Sequence, residues 1–291
     1  PSAARAAERA ARALPTGEGA WLAAMPAVPL GPGVLVRAIV AGGDHTCALT
    51  VRGAVLCWGD STRGTAAVGY ATEAVVALAG AVRPVNLGTG AVVEELVGSG
   101  HEHVCARLAA GTAGGGEGGE GGGEGGGAVK CWGGNEWGQL GYGDVEHRGD
   151  FPAELGDGLP AVELGSSVRV RALTAGGHHT CALVELAPAL ADGARGDAPV
   201  GRADAPPAAA VVVAVTAVKC WGANAWGELG YGDVVNRGDA PRTMGDDLPV
   251  VPLGGAGADA LAPEAVSAGK HFTCALLRAP RAVAAAASSG G

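Results

Sequence analysis

The chain has 291 residues, 53 of them glycine, with 17% charged and 4% aromatic residues and a formal net charge of −9. This length supports a substantial core, and the glycine content suits a turn-rich β protein. The acidic balance argues against a dedicated nucleic-acid binder, which needs clustered Lys and Arg for phosphate. No membrane span is expected either, since the uncharged, Ala- and Val-rich stretch at residues 205–218 is 14 long where roughly 18 to 20 are required.

From the N-terminus, residues 1–20 form an Ala/Arg-rich tail in which a helix is expected over 2–14, capped by Ser2 and stopped by Pro15. Arg5, Arg9 and Arg12 share one face of it and read as a solvated surface. Residues 21–278 are repetitive. GGDHTCAL with VLCWG, HEHVCARL with VKCWG, and GGHHTCAL with VKCWG are three copies of one pair, and HFTCALL opens a fourth. From the second cysteine of one copy to the first of the next the spacing is 48, 50 and 54, while within the pairs it grows from 10 to 26 to 39. The chain is thus a unit of about 50 residues with one elastic loop, a period that points to a propeller or solenoid.

In the first copy, opposing Cys47 to Cys57 also opposes Ala48 to Leu56, Leu49 to Val55 and Thr50 to Ala54. The turn Val51-Arg52-Gly53 remains, with glycine last, where a left-handed residue is wanted. Directly opposed cysteines on an antiparallel hairpin are within disulfide reach. Cross-strand disulfides are therefore expected for Cys47 and Cys57, Cys105 and Cys131, and Cys181 and Cys220, with buried free thiols as the alternative; Cys274 is left over. In the second and third copies the hairpin tips are replaced by low-complexity inserts near 109–127 and 186–215, which read as disordered. Closing such loops costs only about 0.6 kcal/mol per doubling of length, so the hairpins tolerate them. Just before the third hairpin, Val168, Val170 and Ala172 are predicted on one strand face and Arg169 and Arg171 on the other. WGGNEWGQLGYGD and WGANAWGELGYGD hold too many glycines for helix and read as loops between four-stranded units. Residues 279–291 form an Ala/Ser/Gly tail.

The run HTCAL, VKCWG, NEWGQLGYGD, a downstream Arg and Pro, and LP.VELG resembles the repeat of the regulator of chromosome condensation family, over about residues 28–277. The resemblance implies an all-β fold of β-propeller blades, each of four antiparallel strands, in a ring that is typically seven-bladed. About four repeats do not complete such a ring, so the chain is expected to be a fragment or one part of a larger assembly. The first repeat departs from the pattern, with Ser61 where the later copies have Asn135 and Asn224, and its loop is expected to be degenerate. Paired cysteines resemble the secreted or cell-surface branch of the family, which favours an extracellular or secretory location.

The candidate functional residues also follow the repeat. A nucleophile, base and oxyanion donor do not converge at any unique position, so no enzyme and no cofactor are expected. His45, His103 and His179 stand two before a cysteine, but repetition keeps them apart; they read as polar tethers between strands, with no metal site. Trp58, Trp132 and Trp221 are expected to pack between blades. Trp137 and Trp226, in the inter-blade loops, are the first choice for partner binding, with Tyr142 and Tyr231 as further candidates. Arg148-Gly149-Asp150 and Arg237-Gly238-Asp239 occupy one repeat position and read as braced turns. The functional expectation is a protein-binding scaffold. The alternatives are guanine-nucleotide exchange on a small GTPase, as in the founding member, or a module of a larger ubiquitin-ligase or kinase polypeptide. The family's ultraviolet-sensing role is disfavoured, because Gly176-Gly177 stands where a tryptophan cluster is wanted.

Overall fold

The computed structural model describes residues 27–67, 82–98, 100–112, 127–187, 215–254 and 261–279. The helix expected at 2–14, the interiors of the two inserts and nearly all of the C-terminal tail lie outside the described residues.

Each repeat is an antiparallel sheet in which successive strands are neighbours. β1 (Val36–Ala41), β2 (His45–Thr50) and β3 (Val55–Gly59) form the first. β4 (Val93–Gly98), β5 (His103–Leu108) and β6 (Val129–Gly133) form the second. β7 (Val168–Ala175), β8 (His179–Leu186) and β9 (Val215–Gly222) form the third, and β10 (Ala262–Ala268) pairs with β11 (Thr273–Arg278) in the fourth. The fourth-strand position of the first three blades is filled by an extended segment rather than a ladder. Val85 N donates to Val55 O at 2.8 Å, and Val162 and Val251 do the same to Val129 and Val218 at 2.7 Å. Pro84, Pro160 and Pro252 in these segments have no amide hydrogen, which limits pairing to isolated bonds.

The hairpin register is the one that the cysteines dictate. Cys47 faces Cys57, Cys105 faces Cys131 and Cys181 faces Cys220, each pair a disulfide with Cα atoms 4.1 Å apart. At the first tip Gly53 adopts φ +79°, and Thr50 N donates to Ala54 O at 2.9 Å, so the bulged three-residue turn forms. β8 and β9 pair out to Leu186 and Val215, which places the second insert at the hairpin end.

The first strand of every blade carries a bulge where its register shifts, between Val36 and Ala38, Val93 and Glu95, Val170 and Ala172, and Pro263 and Ala265. This corrects the predicted alternation in β7. The extra residue turns Ala172 to the other face, against the next interface, while Val168, Val170 and Leu173 share the buried side. Arg169 and Arg171 do lie opposite, both reaching toward Glu185.

The core consists of interfaces between consecutive blades. Leu49, Val55, Val104 and Trp132 belong to the first, and Cys131, Leu140, Val162 and Trp221 to the second. The first three blades therefore turn their disulfides toward the following blade, and the second and third turn Trp132 and Trp221 toward the preceding one, because adjacent strand residues point to opposite faces.

Candidate functional site: the loop face of the blades

β2 pairs His45 with Gly59 at one end, so the loop entering each second strand and the loop leaving each third strand emerge together. The two inserts are attached at the opposite end of the strands, where Leu186 meets Val215. One face thus carries the inter-blade loops together with the loops entering each second strand, away from the inserts.

Residues 134–144 and 223–233 are built identically. Asn135 Oδ1 accepts from Leu140 N (2.9 Å), while its amide nitrogen donates to Asp144 O and Oδ1 (3.0 Å); Asn224 does the same with Leu229 and Asp233. Gln139 Oε1 and Glu228 Oε2 accept from the amides of Trp137 and Trp226, holding each tryptophan on a fixed turn. In the first repeat Ser61 takes the asparagine position, and its buried hydroxyl finds no partner among the described residues, in keeping with a degenerate loop.

Trp137 and Trp226 project from this frame, 45% and 76% exposed. Trp226 also leans toward His271, with ring centroids 6.3 Å apart. Around them are Arg63, paired with Glu102 and with Glu136 (2.8 Å to the latter), and stacked His101 and His178.

Tyr142 and Tyr231 are not part of that exposed set. The Tyr142 hydroxyl accepts from Cys131 N and donates to Cys131 O, both at 2.9 Å, and Tyr231 clamps Cys220 at 3.0 Å. The guanidiniums of Arg148 and Arg237 cover the rings at 5.5 and 4.6 Å from the centroids. Burial pushes the phenols up, that of Tyr231 to about 12. With hydroxyls and ring faces committed internally, the candidate partner-binding set narrows to the tryptophans. In the Arg-Gly-Asp turns the brace is Arg148 to Asp144 (2.6 Å) and Arg237 to Asp233 (2.8 Å), not the triplet's own aspartate. The triplets dock on the preceding loop: a Cβ at Gly64 would lie 2.5 Å from Asp150 N, and one at Gly138 2.3 Å from Asp239 N.

His103 and His179 are tethers, between blades rather than within one, and His45 is not. His103 Nε2 lies 3.0 Å from Thr180 Oγ1, which donates to Gln139 O at 2.9 Å. The hydroxyl has one proton, so it must accept from His103, which carries its hydrogen on Nε2. His179, Thr273 and Glu228 O repeat the arrangement at 2.9 and 2.8 Å. Burial holds His103 down to about 3 and His45 and His179 to about 4, so all are neutral near pH 7. In the first interface Val104 stands at the threonine position, and buried His45 Nε2 has no partner among the described residues. Trp132 and Trp221 complete each joint, donating Nε1–H to Thr65 O (3.2 Å) and Gln139 O (3.0 Å). Trp58, with no preceding loop among the described residues, is half-buried. Among the described residues no cluster of three or more His, Cys, Asp or Glu could hold a metal, and no helix is long and apolar enough to cross a membrane.

Sequence reasoning missed Lys130 and Lys219. Both are buried, donating Nζ–H to Leu87 O and Gly156 O (2.8 and 3.0 Å) and to Leu164 O and Gly245 O (2.6 and 3.2 Å). Each stitches the outer segment of the preceding blade to a loop of its own, and desolvation lowers its ammonium pKa. The available signal was a lysine between valine and cysteine in the VKC strand at both positions.

Disulfide-clipped antiparallel sheets stacked through tryptophan, histidine and threonine define a repeat protein of β-propeller type. Residues 36–65 and 127–183 match models of the Regulator of chromosome condensation (RCC1) repeat. No curated protein matches. Among solved structures it is similar to human WBSCR16 (17% identity, TM-score 0.49, 85% of this chain and 46% of that one) and to yeast RCC1 (Prp20) bound to Kap60 (20%, 0.47, 86% and 43%). It is also similar to the ectodomain of the Physcomitrella patens receptor kinase CR4 (16%, 0.38, 85% and 40%). The chain spans less than half the length of each of these three.

Proposed function

We propose that the chain is a non-enzymatic scaffold that binds a protein partner through the loop face, with Trp137 and Trp226 as anchors. The observation that carries this reading is the exposure of two large indoles at one repeat position, each on a turn locked by Asn, Asp and Gln or Glu. A rigid, exposed aromatic loses little conformational freedom on binding and is the side-chain type most enriched among interface hot spots. The mixed charges of Arg63, Glu102 and Glu136 would supply a polar rim. The three disulfides suit an oxidising compartment, where such a partner would be met.

The test is quantitative capture from the native compartment with wild type, Trp137→Ala plus Trp226→Ala, and Arg52→Ala at the opposite end of the strands. Proteins bound through this face fall at least ~10-fold with the double tryptophan variant, the loss expected of hot-spot truncation, and stay with Arg52→Ala. Full retention of every captured protein by the double tryptophan variant would overturn the reading.

A further inference from the structure

The loops that enter the second strands lie side by side on the loop face. Gly43 N donates to His101 O at 3.0 Å and Gly177 N to Lys270 O at 3.1 Å, which joins the first blade to the second and the third to the fourth. Between the second and third, His101 stacks on His178, with ring centroids 4.3 Å apart and planes at 29°. The row ends at a tryptophan on either side. Trp226 leans toward His271, the residue after Lys270. Beyond His101, Glu102 pairs with Arg63, and Arg63 pairs with Glu136, the residue before Trp137. A continuous polar strip thus runs from one exposed indole to the other. Its histidines stand outside the repeat frame: His178 and His271 fall where earlier copies have Asp44 and Glu102, and His101 where others have Gly43, Gly177 and Lys270.

The imidazoles set the charge of the strip. Its permanent cations are Arg63 and Lys270. The carboxylates around them are Asp44 from the first blade, Glu102 and Glu136 from the second, and Glu228, which holds the Trp226 amide. With neutral imidazoles four carboxylates face two cations; with His101, His178 and His271 all charged they face five, and the strip changes sign. Desolvation, reinforced by neighbouring cations, holds His101 and His178 below the ordinary imidazole value, so they charge only as pH falls below 6.5. The buried His45, His103 and His179 beneath stay neutral down to about 4, so the joints under the strip keep their charge over that range. Two imidazolium rings stacked at 4.3 Å repel each other, and a carboxylate placed at their edges offsets that repulsion. An anion therefore prefers the acid form of the strip to the neutral one.

We infer that the strip between Trp226 and Trp137 is a docking site for a partner segment rich in Asp and Glu, bound as the histidine row takes up protons and released as it loses them. The inference rests on the reading of the loop face as the docking surface, and adds to it the chemistry of the partner and the control of its release. Because the segment prefers the protonated row, each proton taken up on binding changes affinity about tenfold per pH unit, and affinity falls as pH rises.

The probe is a fluorescein-labelled peptide, Asp-Glu-Leu-Pro repeated three times, titrated with the full chain by anisotropy at pH 5.5 and 7.5 at one ionic strength. An analogue with Asn and Gln in place of Asp and Glu is the control. Carboxylates with ordinary values of about 3.9 and 4.3 stay ionised at both pH values, so any pH dependence comes from the protein. Saturable binding is expected at pH 5.5, at least ~10-fold tighter than at 7.5 and at least ~10-fold tighter than for the amide peptide. His101→Gln plus His178→Gln brings the pH ratio below about 3-fold. Trp137→Ala plus Trp226→Ala weakens binding at both pH values and keeps the ratio. The two readings therefore fail separately: a flat ratio with intact tryptophan dependence overturns this inference alone, and a steep ratio indifferent to the tryptophans overturns the anchors alone. No binding at pH 5.5, equal affinity for both peptides, or an unchanged ratio in the double histidine variant also overturns it. So does tighter binding of a labelled heparin hexasaccharide than of the peptide, which would assign the strip to a sulfated polysaccharide.

Discussion

Two reciprocal substitutions test the inter-blade relay. Thr180→Val is nearly isosteric and removes the one atom that bonds both His103 Nε2 and Gln139 O. Gln139 O keeps the Trp221 indole at 3.0 Å, so the loss falls on the histidine N–H in a site with no solvent exposure. An unsatisfied buried donor costs about 1–3 kcal/mol, so Thr180→Val should destabilise by that amount. Val104→Thr is the opposite experiment. Val104 is fully buried, His45 Nε2 lacks a partner among the described residues, and Thr65 O receives the Trp132 indole as Gln139 O receives that of Trp221. A threonine there can accept from His45 and donate to Thr65 O, restoring the relay and stabilising by roughly 0.5–1.5 kcal/mol. The sign is informative, because Val→Thr in an apolar core is ordinarily destabilising. Urea unfolding with an unchanged m-value measures both shifts. A Val104→Thr variant less stable than wild type, or a neutral Thr180→Val, would refute the relay.

Two further outcomes follow from the same joints. His45, His103 and His179 have pKa values depressed by burial, so the folded state binds fewer protons than the unfolded one below pH 6.5. Their contribution is fully present above the unfolded value of 6.5 and is lost as pH falls toward 4, by on the order of 3 kcal/mol for His179 at pH 4. His179→Gln, which retains a donor for Thr273, should flatten urea-derived stability between pH 6.5 and 4 relative to wild type; an unchanged slope would contradict the assignment. Among the disulfides, closing 10 residues and closing 39 predict chain-entropy contributions of about 2.7 and about 3.9 kcal/mol. Replacing both cysteines by serine should therefore be more damaging at Cys181 and Cys220 than at Cys47 and Cys57; the reverse order in denaturant unfolding would show that local packing outweighs loop closure.

What the amino-acid order determined is everything with a short physical range. The Cys47–Cys57 spacing, with Gly53 at the tip, imposes one antiparallel register, since a one-residue slip would turn the cysteines to opposite faces. Repetition extends that register to the other hairpins whatever the insert length, and it argues that the loop tryptophans are equivalent. Tertiary structure alone decided where side chains go when a blade meets its neighbour. Ala172 changes face because of a bulge that composition does not announce, and Tyr142 and Tyr231, polar and loop-borne, turn inward to clamp cysteine backbone. His103 reaches a threonine 77 residues away, and Lys130 reaches carbonyls 43 and 26 residues away. Such pairings depend on the offset between stacked sheets, a quantity set by the packing of Trp132 and Trp221 and by no local pattern in the chain.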